Sequence, residues 1–147
     1  MTKPIRRLGG RPHGEALSIL ARARPEALQE LAETLIDALP PLEVIENRTG
    51  LVMLPMTDTV KGASFHLGEA LVAEARVRTG SGEGYGMILG HDLVTALAMA
   101  IVDAAGALDV GTDRIAALIE AEAAHQAETE RARMRDVAAT HVEMETF

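Results

Sequence analysis

The chain has 147 residues, of which 48% are hydrophobic but only 2% aromatic, and it carries a net charge of −8 at neutral pH. That length suffices for one domain with its own core. The acidic balance argues against general affinity for nucleic acid, and the absence of Cys excludes disulfides and thiolate ligation of an iron–sulfur cluster. No apolar run approaches the roughly 18 residues of a membrane span. The charged N-terminus lacks the apolar stretch of a secretory signal, so a cytoplasmic protein is expected.

Taken in order, residues 1–13 read as a flexible lead, with Pro4, Pro12 and a basic cluster of Lys3, Arg6, Arg7 and Arg11. The cluster is a solvated tail or a segment that docks on an acidic partner. Residues 14–147 read as a single domain. Residues 15–23 place Leu17, Leu20 and Ala21 at helical spacing. Pro25 suits the first turn of a second helix whose stripe is Leu28, Leu31, Leu35 and Leu39, and Pro40-Pro41 stops it.

Strands follow. Residues 42–46 (LEVIE) and 50–56 (GLVMLPM) read as a hairpin joined through Asn47, Arg48 and Thr49. Pro55 lacks a backbone donor and belongs at a strand end or on an edge. From residue 67 to 79, Leu71, Ala73, Ala75 and Val77 fall on one face and Val72, Glu74, Arg76 and Arg78 on the other. This period of two marks a strand with one buried face. The glycine-rich run 80–84 reads as the reversal into a further strand over 85–89.

Asp92 reads as the N-cap of a helix through Leu108 that is apolar nearly all round. Such a helix belongs between the sheet and another element or a partner chain. Thr112 caps a last helix to about residue 139. Its second half is Ala and charge, acid first and base last, which suits the helix dipole. That half is either solvated or projects onto another subunit. Residues 140–147 (THVEMETF) alternate again and read as a short strand added to this sheet or a neighbour's. The fold class expected is α+β: an antiparallel sheet of about four strands flanked by N-terminal and C-terminal helices.

Candidate chemistry is sparse. His13, His66, His91, His125 and His141 show no i, i+3 or i, i+4 pairing and no H-E-x-x-H. A metal site would need several of them, or two with a carboxylate, to converge. His91 beside Asp92 could form a base with its orienting acid, but Asp92 as a cap with His91 exposed in the loop is the simpler arrangement. The run 80–86 is not a phosphate loop, because no Lys-Ser/Thr pair follows it and a strand comes next. Ser64 and Ser81 lack the strand–turn–helix setting of a nucleophile.

Four segments together carry a resemblance: RTGLVM (48–53), VKGASFHLGE (60–69), VRTGSGEGYG (77–86) and GHD (90–92). In order and spacing, over about residues 17–147, they resemble the PhnG family, a subunit of the bacterial carbon–phosphorus lyase core complex. The family's usual glutamate before T-G-L-V is Arg48 here, its G-R-D arginine is His91, and a histidine found shortly after it is replaced near Thr95. The resemblance implies an accessory, non-catalytic subunit in an assembly with PhnH-, PhnI-, PhnJ- and PhnL-like chains. There a phosphonate displaces adenine from ATP to give a ribose 1-alkylphosphonate 5-triphosphate. ATP would be a substrate of the complex. An iron–sulfur cluster and S-adenosylmethionine would belong to a partner, and this chain would hold no cofactor. The turn and contact positions it singles out are Thr49, Gly50, Gly68, Glu69, Gly86, Gly90 and Asp92. Two readings from other classes stay open: a stand-alone metal-dependent enzyme using His66, His91 or His141, and a homo-oligomeric binding module.

Overall fold

The computed structural model describes residues 3–141. Its elements run β1 (Arg7–Leu8), β2 (Arg11–Pro12), α1 (His13–Ala21), α2 (Pro25–Ile36), β3 (Leu42–Thr57), β4 (Ser64–Thr79), β5 (Gly82–Leu89), α3 (Leu93–Ala107) and α4 (Thr112–Ala139). Among the described residues no helix is long and apolar enough to cross a membrane.

The class is α+β as expected, but the sheet has three strands, in the order β3-β4-β5, all antiparallel. A separate two-stranded ribbon joins β1 to β2. The difference arises at residues 47–49. They form no turn; they pair with Ala75, Glu74 and Ala73 inside one continuous 16-residue strand. Polar residues in mid-strand marked solvent exposure rather than reversal. The reversal comes at 58–63, where the Asp58 carboxylate accepts the Val60 N–H (2.9 Å) and the Gly62 N–H bonds to the Asp58 carbonyl (2.8 Å).

The glycine-rich run also divides differently. Only Gly80 and Ser81 lie between strands, with φ +55° at Gly80 as a two-residue hairpin turn demands. Gly82, Gly84 and Gly86 belong to β5 itself and face α3. A Cβ at Gly84 would collide with the Ala100 carbonyl oxygen, and one at Gly86 with the Ala96 carbonyl oxygen. Here glycine is a packing device: it lets the helix backbone settle directly on the strand.

α3 answers with alanine. Ala96, Ala100 and Ala104 are fully buried, and Asp92 caps the helix by accepting the Thr95 N–H at 3.0 Å, as the sequence predicts. Ala73, Ala75 and Val77 of β4 are buried on the same side of the sheet. Leu71 of that face is exposed, because the strand there has run past the helix. α2 packs along α3 through Leu28, Ala32 and Leu35, and the first turns of α4 bury Ile115 and Ile119. The N-cap of α4 is Gly111 in the left-handed conformation, with Thr112 the first helical residue, so no side chain caps it. Gln126 Nε2 still donates to the Ile19 carbonyl of α1 (2.9 Å); beyond it the helix is exposed nearly throughout and projects from the body.

The segment read as a flexible lead is packed from Arg6 onward. Leu8 is buried in the main core, and Arg6 Nη2 donates to the Asp103 carbonyl (2.9 Å). Residues 142–147, most of the expected C-terminal strand, lie outside the described residues; Thr140 and His141 are not in a strand.

Gly84→Ala is expected to cost about 3 kcal/mol in chemical denaturation, since the added Cβ can be accommodated only by moving backbone. Gly68→Ala, where a Cβ meets nothing within 4 Å, is expected to change stability by about 0.5 kcal/mol at most.

Candidate partner-binding ribbon

β3 and β4 outrun the rest of the sheet. β5 pairs with β4 only from Val72 to Thr79, and α3 covers only that region. Beyond it the two strands continue as a bare ribbon, where Leu51 opposes Leu71, Val52 opposes Ala70 and Met56 opposes Phe65. A two-stranded ribbon without a packing partner is marginal in water. This one carries large apolar side chains on both faces: Leu51 (65% exposed) and Met53 (54%) alternate along β3 with Val52 (38%) and Leu54 (41%). Contiguous exposed apolar surface marks an interaction site.

The singled-out residues separate into two groups. Thr49 and Gly50 sit where the ribbon leaves the body, and Gly68 and Glu69 lie halfway along it, opposite Leu54 and Met53. Gly86 lies under α3. Gly90 (φ +100°) gives its N–H to the Leu71 carbonyl at 2.9 Å and Asp92 caps α3, so both belong to the strand-to-helix corner. The Asp92 carboxyl titrates below the usual range because the Thr95 hydroxyl and N–H both donate to it. Gln29 Nε2 in turn donates to Thr95 Oγ1 (2.9 Å), tying α2 to the same corner.

The apolar members of the ribbon, Leu51, Met53, Met56, Phe65 and Leu67, were not among the candidate residues. Their signal was the unbroken run GLVMLPM, which fills both faces of a strand where a half-buried strand would fill one.

Three polar clusters also escaped sequence reasoning, because their members lie apart in the chain. In the first, the Asp103 carboxylate is buried on α3. His13 Nε2 stands 2.7 Å and Arg6 Nη2 3.0 Å from its Oδ1, while Oδ2 accepts the Tyr85 N–H at 2.9 Å. That N–H belongs to β5, so Asp103 closes part of the outer edge of the sheet. In the second, on the open face, the Tyr85 hydroxyl donates to Glu74 (2.7 Å), which also receives Arg48 Nε at 3.4 Å. The Tyr85 bond holds the Glu74 carboxyl low; desolvation, then the Glu74 bond, pushes Tyr85 up to about 12. A phenol so raised is a poor proton donor at neutral pH. A third cluster joins helices: buried Glu122 accepts the Arg24 N–H (3.1 Å) and Nε–H (3.0 Å).

His66 faces Pro55 on the ribbon, His91 is exposed in its loop, and His141 follows α4. Among the described residues no group of three or more His, Asp or Glu side chains is placed to hold a metal ion. The arrangement as a whole is suited to binding another surface.

Two expectations follow. Asp103→Ala should lose about 3 kcal/mol in urea denaturation, because it strands Arg6, His13 and the Tyr85 N–H together. Tyr85 has a raised folded-state pKa, so its contribution is fully present below about pH 10 and is lost as pH rises toward 12. Tyr85→Phe should therefore flatten the fall in stability across that window, measured by denaturation at stepped pH.

Comparison with known proteins agrees with the segments quoted above. The model of the family described as "Phosphonate metabolism protein PhnG" matches residues 12–147. A curated relative from Rhizobium meliloti (strain 1021), the alpha-D-ribose 1-methylphosphonate 5-triphosphate synthase subunit PhnG, is 37% identical over 135 residues, covering 90% of this chain and 86% of the relative. The match runs through the body and the ribbon alike, and the chain belongs to the PhnG family of phosphonate metabolism proteins.

Proposed function

We propose that this chain is an accessory, non-catalytic subunit of a ribose 1-alkylphosphonate 5-triphosphate synthase in phosphonate catabolism. Its role there is to hold other subunits in position while ATP gives up adenine to an alkylphosphonate. The observation that carries the reading is the ribbon of β3 and β4, apolar on both faces and left uncovered by the chain's own helices. A lone protein gains nothing from such an element, and a partner that clasps it buries both faces at once. The R. meliloti relative is named as a subunit of the methylphosphonate enzyme, which supports a hetero-oligomer with PhnI-, PhnH- and PhnJ-like chains, and a PhnL-like chain for the transfer step. Catalytic groups, the iron–sulfur cluster and S-adenosylmethionine then belong to those partners. The projecting half of α4 supplies a second, polar arm for the same assembly.

Co-expression with the PhnI-, PhnH- and PhnJ-like subunits tests this. The wild-type chain co-purifies with them. Phe65→Asp with Leu67→Asp, both on exposed ribbon positions, leaves the chain folded by circular dichroism but weakens the complex. Loss of one well-buried anchor costs about 2 kcal/mol, roughly 30-fold in affinity. Adenine release from ATP in the presence of a phosphonate falls with it. A complex of unchanged yield, or turnover by the chain alone, would defeat the proposal.

A further inference from the structure

The two outer edges of the sheet are treated unlike each other. On β5 the Tyr85 N–H is taken up by buried Asp103, with Arg6 and His13 behind it. On β3 all 16 residues form an edge, and none is buried. A long open edge with apolar side chains is a template for another strand.

In its central run, Gly50-Leu51-Val52-Met53-Leu54, Leu51 and Met53 match in size on either side of Val52, while Gly50 and Leu54 are hollow and knob. We infer that the edge receives the β3 edge of a second copy of this chain, antiparallel, with a two-fold axis at Val52. The inference rests on the ribbon being a docking element and supplies the occupant of its edge; its faces remain for other subunits.

In this register Leu51 meets Met53 of the second copy, Val52 meets its counterpart, and Gly50 meets Leu54. Opposite residues of an antiparallel pair share a face, roughly 5 Å apart. Gly50 lacks a side chain, and a depression of about 260 Å³ lies there, lined by Val52, Val72, Met87, Arg48 and Glu74 among others. Leu54, 41% exposed, stands over that depression from the other copy, and the fit repeats symmetrically. Between Arg48 and Asp58 there is no charged residue, so two chains of net charge −8 can meet there without opposing like charges. Pro55, which has no N–H to donate, bounds the run. A register centred on Asn47 would set Arg48 against Glu46 of the second copy. It would cross the register shift between Val44 and Glu46 and leave the apolar run bare.

The absence of Cys makes the test clean. Opposite Cα atoms about 4.5–5.5 Å apart fall within the roughly 4.4–6.8 Å that a disulfide spans. Full-length Val52→Cys should therefore form a covalent dimer on mild oxidation. Leu51→Cys alone should not, because the two copies of that position are at least about 7 Å apart on the diagonal, but mixed with Met53→Cys it should. By sedimentation the unmodified chain should run at twice its 15.6 kDa mass. Gly50→Leu enters open space within one chain and fills the depression, so it should weaken the dimer at least tenfold while the circular dichroism spectrum is unchanged. A monomer at all concentrations, a Gly50→Leu chain that dimerises normally, or equal self-crosslinking at positions 51 and 52 overturns the inference. If co-purification with the other subunits survives that result, the docking role stands; if co-purification fails while the Val52→Cys crosslink forms, the docking role falls alone.

Discussion

Everything in this fold depends on how closely α3 approaches β5. Gly84 and Gly86 present bare backbone to the carbonyls of Ala100 and Ala96, and no side chain can be inserted between them. With only two Phe, one Tyr and no Trp, the chain cannot build its core from large groups that bury much area each. It uses close packing instead, where many short contacts between Gly, Ala and Val do the work that a few aromatics do elsewhere. The close approach places α3 so that Ala73, Ala75 and Val77 are covered, Asp103 reaches the edge of β5, and α2 and α4 find a surface to rest on.

The same packing leaves a remainder. α3 spans Leu93–Ala107 and β5 only Gly82–Leu89, whereas β3 and β4 are each 16 residues long. The excess length is the ribbon. Its apolar residues are as hydrophobic as those of the core, and what separates the two sets is whether a helix lies above them. One outer strand gives the Tyr85 N–H of its free edge to a buried carboxylate, and the other is open along its whole length. That asymmetry is what a subunit needs: a body that holds its shape and an element that another surface completes.

Buried polar groups reinforce the body at points where chain segments distant in sequence meet. Asp103 collects the N-terminal ribbon, the start of α1 and β5, and Glu122 pins the corner between α1 and α2 to α4. Among the described residues no buried side-chain polar atom lacks a hydrogen-bond partner. The three clusters direct their hydrogen bonds at neighbouring backbone and side chains, and the Tyr85 phenol is pushed away from neutral titration. This polar chemistry holds the body together.

The residues alone determined the helices, the cap at Asp92, the alternation of β4 and the family, because each is written in local spacing or in ordered motifs. Of the positions that the resemblance singled out, Thr49, Gly50, Gly68 and Glu69 lie along β3 and β4. Only the tertiary structure decided that residues 42–57 are one strand, that Gly82, Gly84 and Gly86 are packing surfaces rather than turn residues, and that Arg6, His13 and Asp103 meet. The physical reason is common to all three. A glycine, a polar residue or a lone carboxylate has several local uses, and the choice among them is made by what lies across from it, 90 residues away along the chain for His13 and Asp103: a neighbouring strand, a helix backbone or open water.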